Sequence, residues 1–191
     1  NIPGKEEIGT VGHELEGTEV ALLDSHDKPV AEGESGQIAV RGPQVMLGYW
    51  NRDDETAKVM TQDGFFKTGD IGIRTESGAI KIVDRLKDMI IVSGFNVYPN
   101  EIEDVVTSHP DVLECAAIGV PDQKSGEAIK VFVVPSKADL STDELKAFLK
   151  TVLTGYKMPR HIELRDDLPK SNVGKILHRE LRDEELKKAS A

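Results

Sequence analysis

One stretch, GAIKIVDRLKDMIIVSGFNVYPNEIE at positions 78–103, constrains the fold more than any other part of the chain. It opens like a strand, with Ala79, Ile80, Ile82 and Val83 apolar, and then breaks on Asp84-Arg85-Leu86-Lys87. A second apolar run, Met89-Ile90-Ile91-Val92, stops at Ser93-Gly94. Pro99 stands where the first turn of a helix accepts it, and Glu101-Ile102-Glu103-Asp104-Val105-Val106 opens that helix. Spacing alone also allows an ordinary hairpin, two strands joined through a charged connector.

The texture differs on the two sides of this stretch. Upstream, residues 1–16 are glycine-rich and unpatterned, which predicts loop. Residues 19–24 and 37–41 read as strands separated by turn chemistry, His26-Asp27-Lys28-Pro29 and Glu32-Gly33-Glu34-Ser35-Gly36. Residues 43–50 form an apolar, aromatic loop, and residues 53–60 a short helix with acids in its first turn. Downstream, a helix over residues 99–109 carries Ile102, Val105 and Val106 on one face and stops at His109-Pro110. Strands are predicted at 112–120 and 128–134. Ser141 and Glu144 make a capping box for a helix with Leu145, Phe148, Leu149 and Val152 at helical spacing, ending at Gly155. A strand at 161–165 and a helix at 179–188 follow. The fold class is therefore α+β, with a small antiparallel β part over residues 1–84 and a compact α+β domain over residues 85–191.

A formal charge of −10 argues against nucleic acid, whose phosphates require a basic face. The single cysteine, Cys115, lies in an apolar run; it has no internal disulfide partner and reads as a small buried hydrophobe in a reducing compartment. No apolar run reaches the roughly 18–20 residues of a membrane span. His13-Glu14-Leu15-Glu16-Gly17 lacks the second histidine of a zinc-protease helix, and Pro169 and Ile176 stand where a phosphate-binding P-loop needs glycine and serine or threonine.

Five places carry chemistry. In Thr68-Gly69-Asp70 the carboxylate of Asp70 suits two vicinal ribose hydroxyls, although such a tripeptide also serves as a capped turn. Arg85 offers a planar donor fork to a sugar or phosphate, or else pairs with Asp84 or Asp88 at the surface. Lys87 is a polar residue at an element end, suited to a hinge or simply exposed on a turn. In Ser93-Gly94-Phe95-Asn96-Val97 the glycine admits a narrow ligand close to the backbone, or merely turns the chain into the helix. Finally, Leu168-Pro169-Lys170-Ser171-Asn172-Val173-Gly174-Lys175 places a lysine on a polar loop.

Taken in order with Phe65-Phe66-Lys67-Thr68-Gly69-Asp70, these segments resemble the C-terminal part of the acyl-adenylate-forming enzymes, and among them the bacterial long-chain fatty-acid–CoA ligases. The resemblance implies a mobile C-terminal lid domain. It assigns Asp70 and Arg85 to the nucleotide sugar, Lys87 to the hinge, and Ser93, Gly94 and Asn96 to the CoA pantetheine tunnel. Lys175 becomes the catalytic lysine that bridges carboxylate and α-phosphate. His178 departs from the family, where many members have arginine. The implied reaction joins a fatty acid to ATP, giving acyl-AMP, and then to CoA, with Mg²⁺ accompanying ATP. The implied setting is cytoplasmic, with peripheral membrane association of the full-length enzyme. The chain starts without Met and reads as a piece whose N-terminal domain, carrying the phosphate loop and acyl pocket, is missing; alone it is expected to be inactive. Loading of a carrier protein, or a purely non-catalytic interaction module, are the alternative readings.

Overall fold

The structure, a computed structural model, describes residue 4, residues 6–137 and residues 139–189. The N-terminal loop expected from the sequence falls partly on residues 1–3 and 5, outside the described residues. The chain divides into two units, Asn1–Lys87 and Asp88–Ala191.

The first unit is a four-stranded antiparallel sheet in sequence order: β1 (Glu19–Leu23), β2 (Gly36–Arg41), β3 (Phe66–Arg74) and β4 (Ile80–Arg85). The turn after β1 is set by Asp24, whose Oδ1 accepts from the N–H groups of His26 and Lys28 at 2.8 and 2.9 Å. Leu22, Ile38 and Ile80 meet on one face as its core. Between β2 and β3 lies the short helix α1 (Asp53–Val59), with three acids in its first turn and no buried residue.

Two expectations are corrected in this unit. The Thr68-Gly69-Asp70 tripeptide is not a turn but a bulge within β3. Gln37 pairs with Ile71 and Ala39 with Lys67, so Ile38 alone faces the three residues. Gly69, at φ +82, makes the detour, and Thr68 Oγ1 closes it, donating to the Ile38 carbonyl at 2.9 Å. β4 also does not break at Asp84. It continues through Arg85 because Asp84 is buried and its Oδ1 accepts the Arg85 N–H at 2.7 Å. A single 3₁₀ turn, Leu86–Asp88, follows.

The second unit is built on β5 (Ile90–Val92), β6 (Phe95–Val97), β7 (Val112–Asp122), β8 (Gly126–Pro135) and β9 (His161–Leu164). Their order is β6-β5-β8-β7, with β9 parallel to β8. β4 and β5 thus belong to different sheets, so the hairpin reading of residues 78–92 is wrong. The actual hairpin is β5–β6, a strand pair not foreseen in the sequence.

Alternation along β7 and β8 creates two cores on the two sheet faces. Cys115, Ala117, Val131 and Val133 pack against Ile102 and Val106 of α2 (Pro99–Thr107) and Leu145 and Leu149 of α3 (Thr142–Val152). Ala116, Ile118, Phe132 and Val134 pack against Leu168 and against Leu181 of α4 (His178–Ala189). Each fully buried Val, Leu, Ile or Phe among them contributes about 1.5–3 kcal/mol. Ser141 caps α3 as its position predicts, accepting the Glu144 N–H at 3.1 Å. Val152, however, is 56% exposed. The helix ends there, Leu153 turns extended, and Leu153 packs on the core instead. Gly155 opens a 3₁₀ turn rather than closing the helix. Cys115 is buried, and that burial, reinforced by Glu103, pushes its thiol pKa well up, as an inert hydrophobe requires.

Candidate functional site

In the first unit the bulge and the long β4 bring two chemistry-bearing residues together. Asp70 and Arg85 are partners in the β3–β4 register, and Arg85 Nε lies 3.4 Å from Asp70 Oδ1. Arg85 therefore pairs with Asp70, across the strands. Thr68 Oγ1 also accepts the Asp70 N–H at 3.1 Å, fixing the backbone that carries the carboxylate. An open hollow of about 360 Å³ is lined by Thr68, Gly69, Asp70, Arg85, Leu86 and Lys87. A carboxylate that accepts and a guanidinium that donates, side by side on one hollow, can hold a polyhydroxylated anion. Lys87 is exposed on the 3₁₀ turn at the end of the unit, with no ion pair among the described residues.

In the second unit Ser93 and Gly94 form the two-residue turn of the β5–β6 hairpin. Both have positive φ, 51 and 85, as a type I′ turn requires. Gly94 thus turns the chain into β6 and not directly into α2. Ser93, Gly94 and Asn96 are exposed, and a Cβ at Gly94 would meet nothing within 4 Å. The hairpin is firmly held: the Ser93 N–H donates to the Ser125 carbonyl at 2.8 Å, and the Ile91 N–H to Glu127 Oε2 at 2.7 Å. The Phe95 ring stacks on Tyr156 at 4.8 Å.

Ser93 also borders a cleft of about 460 Å³ whose wall includes Lys146, Lys150, Tyr156 and Arg160. These residues were missed in the sequence. A faint signal existed, since Lys146 and Lys150 are four apart on α3, each next to an apolar core position. Arg160 is paired with Asp122 and holds that carboxyl well below the usual carboxylate range. Asp122 in turn accepts from the N–H and hydroxyl of Ser125 at 2.9 and 2.7 Å, bracing the segment that anchors Ser93.

Lys175 sits on a second, separate hairpin. Lys170 and Ile176 pair across it, the Ser171 N–H donates to the Lys175 carbonyl at 2.8 Å, and the Lys175 N–H to Ser171 Oγ at 3.1 Å. The backbone is therefore well tied while Val173, at the tip, is 90% exposed. The two lysines of this hairpin differ. Lys170 is committed to Glu114 and Asp167, at 2.6 and 3.0 Å. The exposed Lys175 amine has no hydrogen-bond or ion-pair partner among the described residues, which leaves it available to an anion. His178, just beyond, is 2.7 Å from Glu103. Among the described residues no cluster of three or more His, Cys, Asp or Glu is placed to hold a metal ion.

The AMP-binding enzyme C-terminal domain family matches residues 101–175, and the AMP-binding enzyme family matches residues 1–50. The chain is 56% identical over 176 residues to the long-chain-fatty-acid–CoA ligase of Escherichia coli O157:H7, covering 92% of this chain and 31% of that protein. It is 58% identical over 179 residues to that of Yersinia pestis, covering 94% and 32%. The chain thus spans about a third of the length of the curated relatives it matches. The ATP-bound structure of MatB from Rhodopseudomonas palustris superposes with a TM-score of 0.86 at 38% identity, over 92% of this chain and 35% of that one. Two domain matches in chain order, identity above one half over nearly the whole chain, and a shared fold point the same way: the chain belongs to the AMP-binding enzymes, with residues 101–175 in their C-terminal domain.

Proposed function

We propose that the protein carrying this chain is an AMP-forming long-chain fatty-acid–CoA ligase. Supporting the substrate class is identity of 56–58% to relatives named for that activity. The observation that carries the chemistry is the uncommitted Lys175 amine on a well-tied hairpin, within the segment that matches the C-terminal domain.

In the first half-reaction a fatty carboxylate attacks the α-phosphorus of ATP; the new P–O bond forms as the bond to pyrophosphate breaks. Lys175 supplies a positive point charge to the oxygens on which negative charge builds, and is worth most where water is excluded. Asp70 accepts from the ribose hydroxyls while Arg85 donates to the nucleotide. Mg²⁺ enters as part of the ATP complex. In the second half-reaction the CoA thiolate attacks the acyl carbonyl and AMP leaves. Lys87 is the hinge between the two arrangements. Ser93, Gly94 and Asn96 line the pantetheine path, where the open space beyond Gly94 leaves room for it. The cations Lys146 and Lys150 of the adjoining cleft suit the phosphates of CoA, while Arg160 stays committed to Asp122. No described helix is long and apolar enough to cross a membrane. We place the enzyme in the cytoplasm, meeting its acyl substrate at a membrane surface.

The test uses the full-length enzyme with palmitate and ATP, following pyrophosphate and then acyl-CoA. Transfer to an acyl carrier protein but not to CoA would replace this reading with the carrier-loading one. The chain alone is expected to release no pyrophosphate; release by the chain alone would show that it needs no other segment for adenylation.

A further inference from the structure

The Glu103–His178 contact has no role in the chemistry above, yet it ties the helix after the β5–β6 hairpin to the residue that ends the Lys175 hairpin. His178 Nε2 lies 2.7 Å from Glu103 Oε1, with the side chains only 22% and 17% exposed. The same Glu103 oxygen accepts the Ala117 N–H at 2.8 Å, so the carboxylate is itself fixed to β7. One turn further along α4, Arg182 lies 2.7 Å from Asp88, the residue after Lys87. The first turns of α4 are thereby clamped twice, by an acid on α2 and by an acid on the 3₁₀ turn. Only Ile176 and Leu177 separate His178 from Lys175. Ile176 packs on the core beneath α4, and the Leu177 N–H donates to the Pro169 carbonyl at 2.8 Å. Three residues reach at most about 10 Å, which gives His178 a short and anchored path to Lys175.

We propose that Glu103 and His178 are positioning residues for Lys175, their charged pair fixing the limb of the hairpin from which the amine reaches the adenylate. This rests on the reading of Lys175 as the adenylation lysine. The groups that face His178 are Glu103 from α2, Asp88 from the 3₁₀ turn and Arg182 from α4 itself; β7 contributes the Ala117 N–H to the pair. The hydrogen bond to Glu103 outweighs burial and Arg182, raising the His178 pKa above its ordinary 6.5. The ion pair is complete below the ordinary value and becomes a neutral hydrogen bond as pH rises through the raised one. The tether loosens on the alkaline side.

Two measurements test this. In the chain itself, NMR titration of the His178 imidazole should give a midpoint above 6.5, and the Gly174 and Lys175 amides should shift with that same midpoint. Glu103→Gln should lower the midpoint and shrink the coupled shift. In the full-length enzyme, acyl-AMP formation should fall about fivefold across the midpoint, the difference between a charged and a neutral hydrogen bond, while thioester formation from supplied acyl-AMP stays flat. His178→Arg, charged throughout, should abolish that limb; His178→Gln should be slow at every pH. Amides that ignore the imidazole, or an alkaline limb that survives His178→Arg, overturn the proposal. If instead Lys175→Ala leaves acyl-AMP formation intact, the adenylation reading fails, while the titration coupling stands or falls on its own.

Discussion

Asp70 and Arg85 stand opposite each other on β3 and β4, the Arg85 Nε 3.4 Å from the Asp70 carboxylate, although fifteen positions separate them in sequence. The pair exists because a bulge in β3 and a buried Asp84 in β4 keep both strands running to the same level. At 31% and 56% exposure it adds little to stability, about 1 kcal/mol at most. Its value lies in presenting an acceptor and a donor to one hollow.

Replacing either member should therefore weaken nucleotide binding and leave the fold intact. Asp70→Ala and Arg85→Ala are each expected to raise the KM for ATP about tenfold or more, as loss of a charged hydrogen bond does. Steady-state kinetics of the full-length enzyme alongside urea unfolding checks this; an unchanged KM would remove both from the nucleotide site.

The two hairpins of the second unit should answer to different half-reactions. Lys175→Ala is expected to slow acyl-AMP formation about 10²–10³-fold and to spare thioester formation from supplied acyl-AMP. Gly94→Asn, which tolerates positive φ but puts a side chain into open space, should do the reverse. Equal losses in both steps for both variants would mean that the hairpins support the fold and not separate steps.

Stability should follow burial on α3. Leu145→Ala, at a fully buried position, is expected to cost about 2–5 kcal/mol. Ser141→Ala should cost about 1 kcal/mol through loss of the cap. Val152→Ala should stay within about 0.5 kcal/mol, because that side chain is exposed. Urea midpoints of the chain order the three, and a costly Val152→Ala would contradict the helix ending seen here.

Each unit has its own core, so limited proteolysis should cut near residues 85–88 and leave residues 88–191 folded. Mass spectrometry of the products and circular dichroism of the isolated second unit would show it. A single melting transition for both units, with no stable fragment, would mean one cooperative domain.

What the sequence determined by itself was local. The apolar runs at residues 112–120 and 128–134, the 3.6-residue spacing of Leu145 and Leu149, and the Ser141 cap each depend on neighbours a few positions away, and the α+β class follows from them. The order of the charged segments was enough to recognise the enzyme family. Tertiary structure decided what depends on strand partners. Periodicity cannot say that Ile38 faces three residues of β3, or that residues 95–97 form a strand and not a loop, because the register of the opposite strand settles both. Nor can it show that Lys170 is bound to Glu114 while Lys175 stays uncommitted, that Lys146 and Lys150 share a cleft with Arg160, or that Glu103 grips His178 seventy-five positions away. Those relationships arise only when packing on the two faces of one sheet brings distant segments within reach of a hydrogen bond.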